Sequence, residues 1–174
     1  ILDHVQTLLF LRKKKDQTLS DKFICEIHSR MLANDPESEF SKGNFRQDYS
    51  FAHGLDISYL DFEKIPHELK NFCEQWNLAY KKNFSTGAVA DILGMFLYIH
   101  PFEDGNGRVG RLLLNFYLAY YEMPLIAFSV TQRFDFLKAA NFANQGKSHF
   151  LRELIQDALV EKLRSRISKL KLML

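Results

Sequence analysis

The sequence predicts a single all-α domain carrying one small β-hairpin flap. Three observations carry that expectation. Apolar residues recur at helical spacing in successive segments along the chain. Capping and breaking residues, among them Ser20, Pro66, Ser85 and Pro124, fall where those segments begin or end. Residues 34–62 lack the period and are rich in Asn, Asp, Ser and Gly instead. A chain of 174 residues, 47% hydrophobic and with 16 Phe, can bury one aromatic-rich core.

Residues 2–14 read as a first helix, with Leu2, Val5, Leu8 and Leu9 along one face. Lys13, Lys14 and Lys15 suit the negative end of its dipole. Thr18-Leu19-Ser20-Asp21 opens a second helix, about 21–33, whose apolar set is Phe23, Ile24, Ile27, Met31 and Leu32. His28 is read there as a packing or capping residue. A polar loop from Asn34 to Gly43 follows, and Gly43-Asn44-Phe45-Arg46 leads into the flap, about 47–60, centred on His53-Gly54. Pro66 suits the first turn of a helix running to about Lys81, with Leu69, Phe72, Cys73, Trp76 and Tyr80 facing the core. Ser85-Thr86-Gly87 starts the next helix. It is apolar nearly all round as far as Ile99, so it belongs at the centre. Another helix spans about 106–122. Gly110 inside it costs about 1 kcal/mol against Ala, which marks close packing or ligand approach. Beyond Pro124, helices are expected at 131–143, with Phe134, Phe136, Leu137 and Ala140 apolar, and at 149–166. Residues 161–174 form a basic helical tail, read as a solvated or dimer-forming end.

The chemistry concentrates in His100-Pro101-Phe102-Glu103-Asp104-Gly105-Asn106-Gly107-Arg108-Val109-Gly110-Arg111. Pro101 disfavours helical geometry at His100, so the preceding helix should end near Ile99. Gly105 and Gly107 permit a tight backbone path and close approach of a ligand to main-chain N–H groups. Asn106 suits a helix start. The first-turn N–H groups of that helix, with its dipole, favour an anion. Arg108 and Arg111 share a face of the first turn, where cations oppose the dipole. Their presence makes sense with a multiply charged anion in front of them. Asp104 adds a hard oxygen ligand for a cation such as Mg²⁺, so a triphosphate with Mg²⁺ fits the whole. Gly105 to Gly110 also matches the dinucleotide pattern G-x-G-x-x-G. That pattern requires a preceding strand, and the preceding apolar run is too long and too poor in β-branched residues.

A net charge of +2 gives no argument for nucleic acid. Cys25 and Cys73 lie far apart with no C-x-x-C, so reduced thiols of a cytoplasmic protein are expected rather than zinc. The run from Ala88 to Ile99 is too short to span a membrane, and no signal peptide appears, so stable membrane insertion is not expected.

The central stretch resembles the signature of the Fic (filamentation induced by cAMP) family, His-x-Phe-x-Asp/Glu-Gly-Asn-Gly-Arg-x-x-Arg. Every specified position matches: His100, Phe102, Asp104, Gly105, Asn106, Gly107, Arg108 and Arg111. Element spacing extends the resemblance over about residues 19–160, with 1–18 an added N-terminal helix. Related Doc-type kinases usually carry Lys where this chain has Gly107, which favours nucleotidyl transfer over phosphorylation. The resemblance implies a protein adenylyltransferase, moving AMP from ATP to a Tyr, Ser or Thr hydroxyl of a target protein and releasing pyrophosphate. It implies His100 as general base and Asp104 as the holder of Mg²⁺ between the α- and β-phosphates. Asn106 and the backbone N–H groups around Gly105 and Gly107 would bind the α-phosphate, and Arg108 and Arg111 the β- and γ-phosphates. Phe102 would be a buried anchor. Gly43, Phe45 and Arg46 match the outline of the family's approach to the flap. Arg46, Phe51, His53 and Gly54 are therefore the expected flap residues, docking the target as an extra strand. A structural ion pair is an equal expectation for Arg46, and a turn role the better one for His53.

Fic proteins are often restrained by a helix with the pattern Ser/Thr-x-x-x-Glu-Gly/Asn, whose Glu pairs with the second arginine of the signature. No Glu here is followed by Gly or Asn. An inhibitory segment is accordingly expected upstream of Ile1, with an antitoxin partner, or no restraint at all, as the alternatives. The resemblance leaves room for a homo-oligomer. It also leaves two rival activities: transfer of UMP or phosphocholine, and a non-catalytic interaction module that keeps the fold.

Overall fold

The computed structural model describes residues 2–36, 41–51, 58–143 and 145–172. Seven helices account for the fold among them: α1 (Leu2–Lys13), α2 (Asp21–Met31), α3 (Ile65–Tyr80), α4 (Thr86–Ile99), α5 (Asn106–Tyr120), α6 (Val130–Ala143) and α7 (His149–Lys171). Their starts follow local chemistry. Ser20 Oγ accepts from Phe23 N at 3.2 Å, and Ser85 Oγ accepts from Ala88 N at 3.2 Å. Pro66 sits in the first turn of α3, where its missing N–H is harmless.

The apolar helix α4 occupies the centre, packed against α3, α5, α6 and α7. Leu93 and Phe96 of α4, and Leu112, Leu113 and Phe116 of α5, are wholly buried. Around Trp76 the aromatic rings of Phe72, Tyr80, Phe116 and Tyr117 pack within 6.4 Å of it, centroid to centroid. Both cysteines are unpaired, Cys73 buried and Cys25 half-buried, and burial pushes the Cys25 thiol up to about 11. Among the described residues no helix is long and apolar enough to cross a membrane.

Two glycines let α4 approach its neighbours. A Cβ on Gly110 would lie 3.2 Å from Leu97 Cδ2, which explains a glycine inside α5. A Cβ on Gly94 would lie 2.6 Å from Ala143 Cβ, at the crossing of α4 and α6. Gly94→Ala is therefore expected to destabilise the fold by about 1–3 kcal/mol. The clash outweighs a helix-propensity gain of about 1 kcal/mol. Urea denaturation checks this, and a rise in midpoint would refute it.

One expectation is corrected. The face of α1 is rotated from the predicted one. Leu2, Val5 and Leu9 are exposed, whereas Thr7 and Leu11 are buried. The cause is that α1 docks in two directions at once, on α2 and on α5. The helix expected at 149–166 continues without a break into the expected helical tail as far as Lys171, because residues 162–171 hold good helix formers and no breaker. Of the flap expected over 47–60, the described residues show one antiparallel bridge, Phe51 to Ser58. His53 and Gly54 lie outside the described residues.

Candidate active site

The loop between α4 and α5 closes one end of a cleft of about 710 Å³. His100 ends α4 in the left-handed region, φ 48°, with its N–H donating to Phe96 O at 3.0 Å. This turn brings the imidazole to the cleft. Nδ1 lies 3.3 Å from Leu97 O, a contact that needs the proton on Nδ1 and leaves Nε2 with its lone pair. The ring of Tyr59 stacks on the imidazole, centroids 3.7 Å apart and planes 16° from parallel. Burial holds His100 well below the usual imidazole range, at about 4. The Leu97 carbonyl works against that shift and the nearby Arg46 cation adds to it.

Phe102 is wholly buried and acts as the loop's anchor. Asn106, the first residue of α5, clamps it: Oδ1 accepts from Phe102 N at 3.0 Å, and Nδ2 donates to Phe102 O at 2.7 Å. The Asn106 amide is thus already engaged on the loop backbone. Gly105 caps α5 in the left-handed region, φ 84°. That conformation is what requires glycine; a Cβ there would press on the Met31 side chain, 2.7 Å from its Cε. Asp104 is exposed and forms an ion pair with Arg108 one turn on. Arg111 lies 5.7 Å above the Phe136 ring and lines the same cleft.

Arg46 is 3% exposed. Its N–H donates to Pro101 O at 2.9 Å, and its Nε to His100 O at 2.7 Å. The two Nη groups reach Asp48 O at 2.5 Å, Leu60 O, and Ile99 O at 3.4 Å. The expected ion pair is replaced by main-chain carbonyls, and the guanidinium binds the loop and the flap together. Phe51, by contrast, is exposed and lines the cleft.

His100, Asp104, Gly105, Asn106, Gly107, Arg108 and Arg111 therefore meet in one cleft, as does Phe51. The G-x-G-x-x-G run follows a helix, not a strand, which removes the dinucleotide reading. A slightly larger cleft of about 780 Å³, near Phe45 and Pro66, shares Glu103 with this site but not its base or arginines, so size does not choose between them. Tyr59, Leu137, Lys138, Phe134 and Asn141 also line the site, outside the motif that marks it in the sequence. Of the apolar residues of α6, Phe134 and Leu137 are exposed, whereas Phe136 and Ala140 are buried. The signal available was an apolar face on α6 wider than Phe136 and Ala140 require. His28 packs as expected, buried and stacked on Phe102, and is also bonded to the loop backbone. Nothing local in the sequence marks that contact.

Burial lowers the proton affinity of His28 as well as His100. The unfolded chain therefore binds protons first, and stability is lost as pH falls from about 6.5 towards 4. His100 contributes at most about 1.4 kcal/mol per pH unit in that window, and His28 acts in the same direction. The urea midpoint should drop between pH 7 and 5, and less steeply in His100→Asn. Equal slopes would refute the assignment.

The Fic/DOC family matches residues 18–118. A protein adenylyltransferase Fic of Drosophila grimshawi is 32% identical over 143 residues, 78% of this chain and 27% of that protein. A Fic domain containing signaling protein from Bacteroides thetaiotaomicron superposes with a TM-score of 0.79 at 25% identity, covering 93% of this chain and 68% of that one. The BepC protein of Bartonella tribocorum, solved with bound AMPPNP, superposes with a TM-score of 0.71 at 21% identity, covering 90% of this chain and 82% of that one. The chain spans about a quarter of the length of the Drosophila relative it matches.

Proposed function

The chain belongs to the Fic/DOC family, and from that premise we propose that it transfers AMP from ATP to a hydroxyl side chain of a target protein. The observation that carries the reading is the joint presence, in one cleft, of a half-buried imidazole with an available Nε2, a glycine-rich helix start and two arginines. Nε2 accepts the proton of the incoming hydroxyl as its oxygen attacks the α-phosphorus, and pyrophosphate leaves. The first turn of α5 offers backbone N–H groups without intrahelical partners to the developing negative charge. Arg108 and Arg111 hold the outer phosphates, for which a planar guanidinium is suited. Because the Asn106 amide is occupied by Phe102, its main contribution is to hold the loop that presents those N–H groups. Phe134 and Leu137 supply an apolar wall for the base.

Mg²⁺ commonly binds through one or two carboxylates together with substrate phosphates. The exposed Asp104 at the cleft fits that donor set. No cluster of three or more His, Cys, Asp or Glu forms a protein-only cage among the described residues. When bound, the ion would neutralise phosphate charge; Arg108 would then exchange Asp104 for a phosphate oxygen. The target docks along the flap by main-chain pairing near Phe51 and Ser58.

A further cleft of about 420 Å³ lies between α1 and α5, lined by His4, Val5, Leu8 and Phe128 and reaching Arg108 and Arg111 from the other side. It is the natural position for an inhibitory segment or antitoxin partner whose carboxylate would draw Arg111 from the γ-phosphate. Automodification with and without added upstream sequence tests this, and identical rates would sink it.

The activity itself is tested with α-labelled and γ-labelled ATP in parallel, with Mg²⁺. Label from the α-position alone on protein supports adenylyl transfer. Label from the γ-position alone means phosphorylation, and no ATP binding at all refutes the site.

A further inference from the structure

One turn of α2 grips two left-handed turns that are distant in sequence. The imidazole of His28 is wholly buried and lies flat on Phe102, centroids 3.8 Å apart and planes 2° from parallel. Gly43 N–H donates to its Nδ1 at 2.9 Å, so the ring proton is on Nε2, which donates to Asp104 O at 3.0 Å. Gly43 and Gly105 have φ of 76° and 84°. A Cβ on Gly43 would lie 3.0 Å from Cys25 O, and one on Gly105 would lie 3.2 Å from His28 Nε2. Three residues beyond Gly43 stands Arg46, which holds His100 O and Pro101 O. The loop is thus held at its start by Arg46 and at Asp104 by His28, and both holds pass through the segment 43–46.

We propose that His28 is a positioning residue for the reaction: it ties the start of the flap to the main chain of Asp104, and so sets target-docking segment and phosphate loop in one fixed relation. A ring is needed for the stack on Phe102, an acceptor for Gly43, and a donor for Asp104. A neutral histidine in the Nε2–H tautomer supplies all three, and its pair of contacts admits no other tautomer. The inference rests on the adenylyl-transfer reading for its catalytic consequence, and on the contacts alone for its structural one.

Two variants separate the contacts. His28→Phe keeps the stack and loses both hydrogen bonds. His28→Gln keeps an N–H near Asp104 O but has no acceptor where Nδ1 stands. Amide hydrogen exchange, read residue by residue, is the primary measurement. In His28→Phe, exchange should quicken about ten-fold at 43–46 and at 104–107 together, the effect expected for a lost buried hydrogen bond. In His28→Gln it should quicken at 43–46 while 104–107 stays within about two-fold of wild type. The rate of label transfer should fall in the order wild type, Gln, Phe, with ATP affinity little changed. Unchanged exchange at both segments, or a uniform rise over the whole chain, would overturn the proposal. If His28→Phe does not fold, His28→Gln decides: selective loss at 43–46 supports coupling, and no selectivity ends it. If wild type transfers no label, the functional reading fails, yet the exchange pattern still tests the coupling.

Discussion

His100→Ala is expected to lower AMP transfer by about 10²–10⁴-fold while leaving ATP binding nearly intact. The imidazole lies against Leu97 O and the Tyr59 ring. Removing it therefore takes away the proton acceptor and little of the anion site. One complication is conformational, because His100 has φ 48° and alanine in that region costs about 1–2 kcal/mol. His100→Asn is the better-tolerated control, since asparagine visits that region readily and its amide is no base. Loss of transfer in both variants, with label still bound as ATP, supports the role. Transfer surviving in either would place the base elsewhere.

The same residue predicts a pH signature. In the free protein burial keeps His100 neutral down to about 4. The acid limb of kcat/KM should lie well below 6.5. Bound phosphates favour the imidazolium, so the acid limb of kcat should lie at higher pH than that of kcat/KM. The reverse order would mean that another group titrates.

Arg46→Ala is expected to destabilise the fold by about 3 kcal/mol or more, a large share of the 5–15 kcal/mol typical of a domain. The guanidinium serves the carbonyls of His100, Asp48, Leu60 and Ile99, and alanine leaves them without donors in a region water reaches poorly. Arg46→Lys should recover only a minor part, because a compact ammonium cannot span acceptors arranged around a planar fork. Urea denaturation measures both. A variant as stable as wild type that nevertheless fails to modify its target would give Arg46 a ligand role instead.

The sequence by itself determined whatever depends on neighbours in the chain. The starts of α2 and α4 follow from Ser20 and Ser85, and the apolar run of α4 dictates its central position. The active loop was legible for the same reason: base, carboxylate, glycines and arginines fall within residues 100–111, so the chemistry could be read without the fold. Tertiary structure alone decided the rest. Periodicity reports which residues leave water but not which neighbour they meet. Thus α1 turned a different face inward because α2 and α5 both press on it. Phe134 and Leu137 line a cleft rather than the core. Arg46 found carbonyls where a carboxylate was expected. His28 meets Asp104 across 76 residues, and Tyr59 meets His100. Such contacts exist because separate segments fold onto one core, and each leaves only a single polar or aromatic residue in the sequence as its trace.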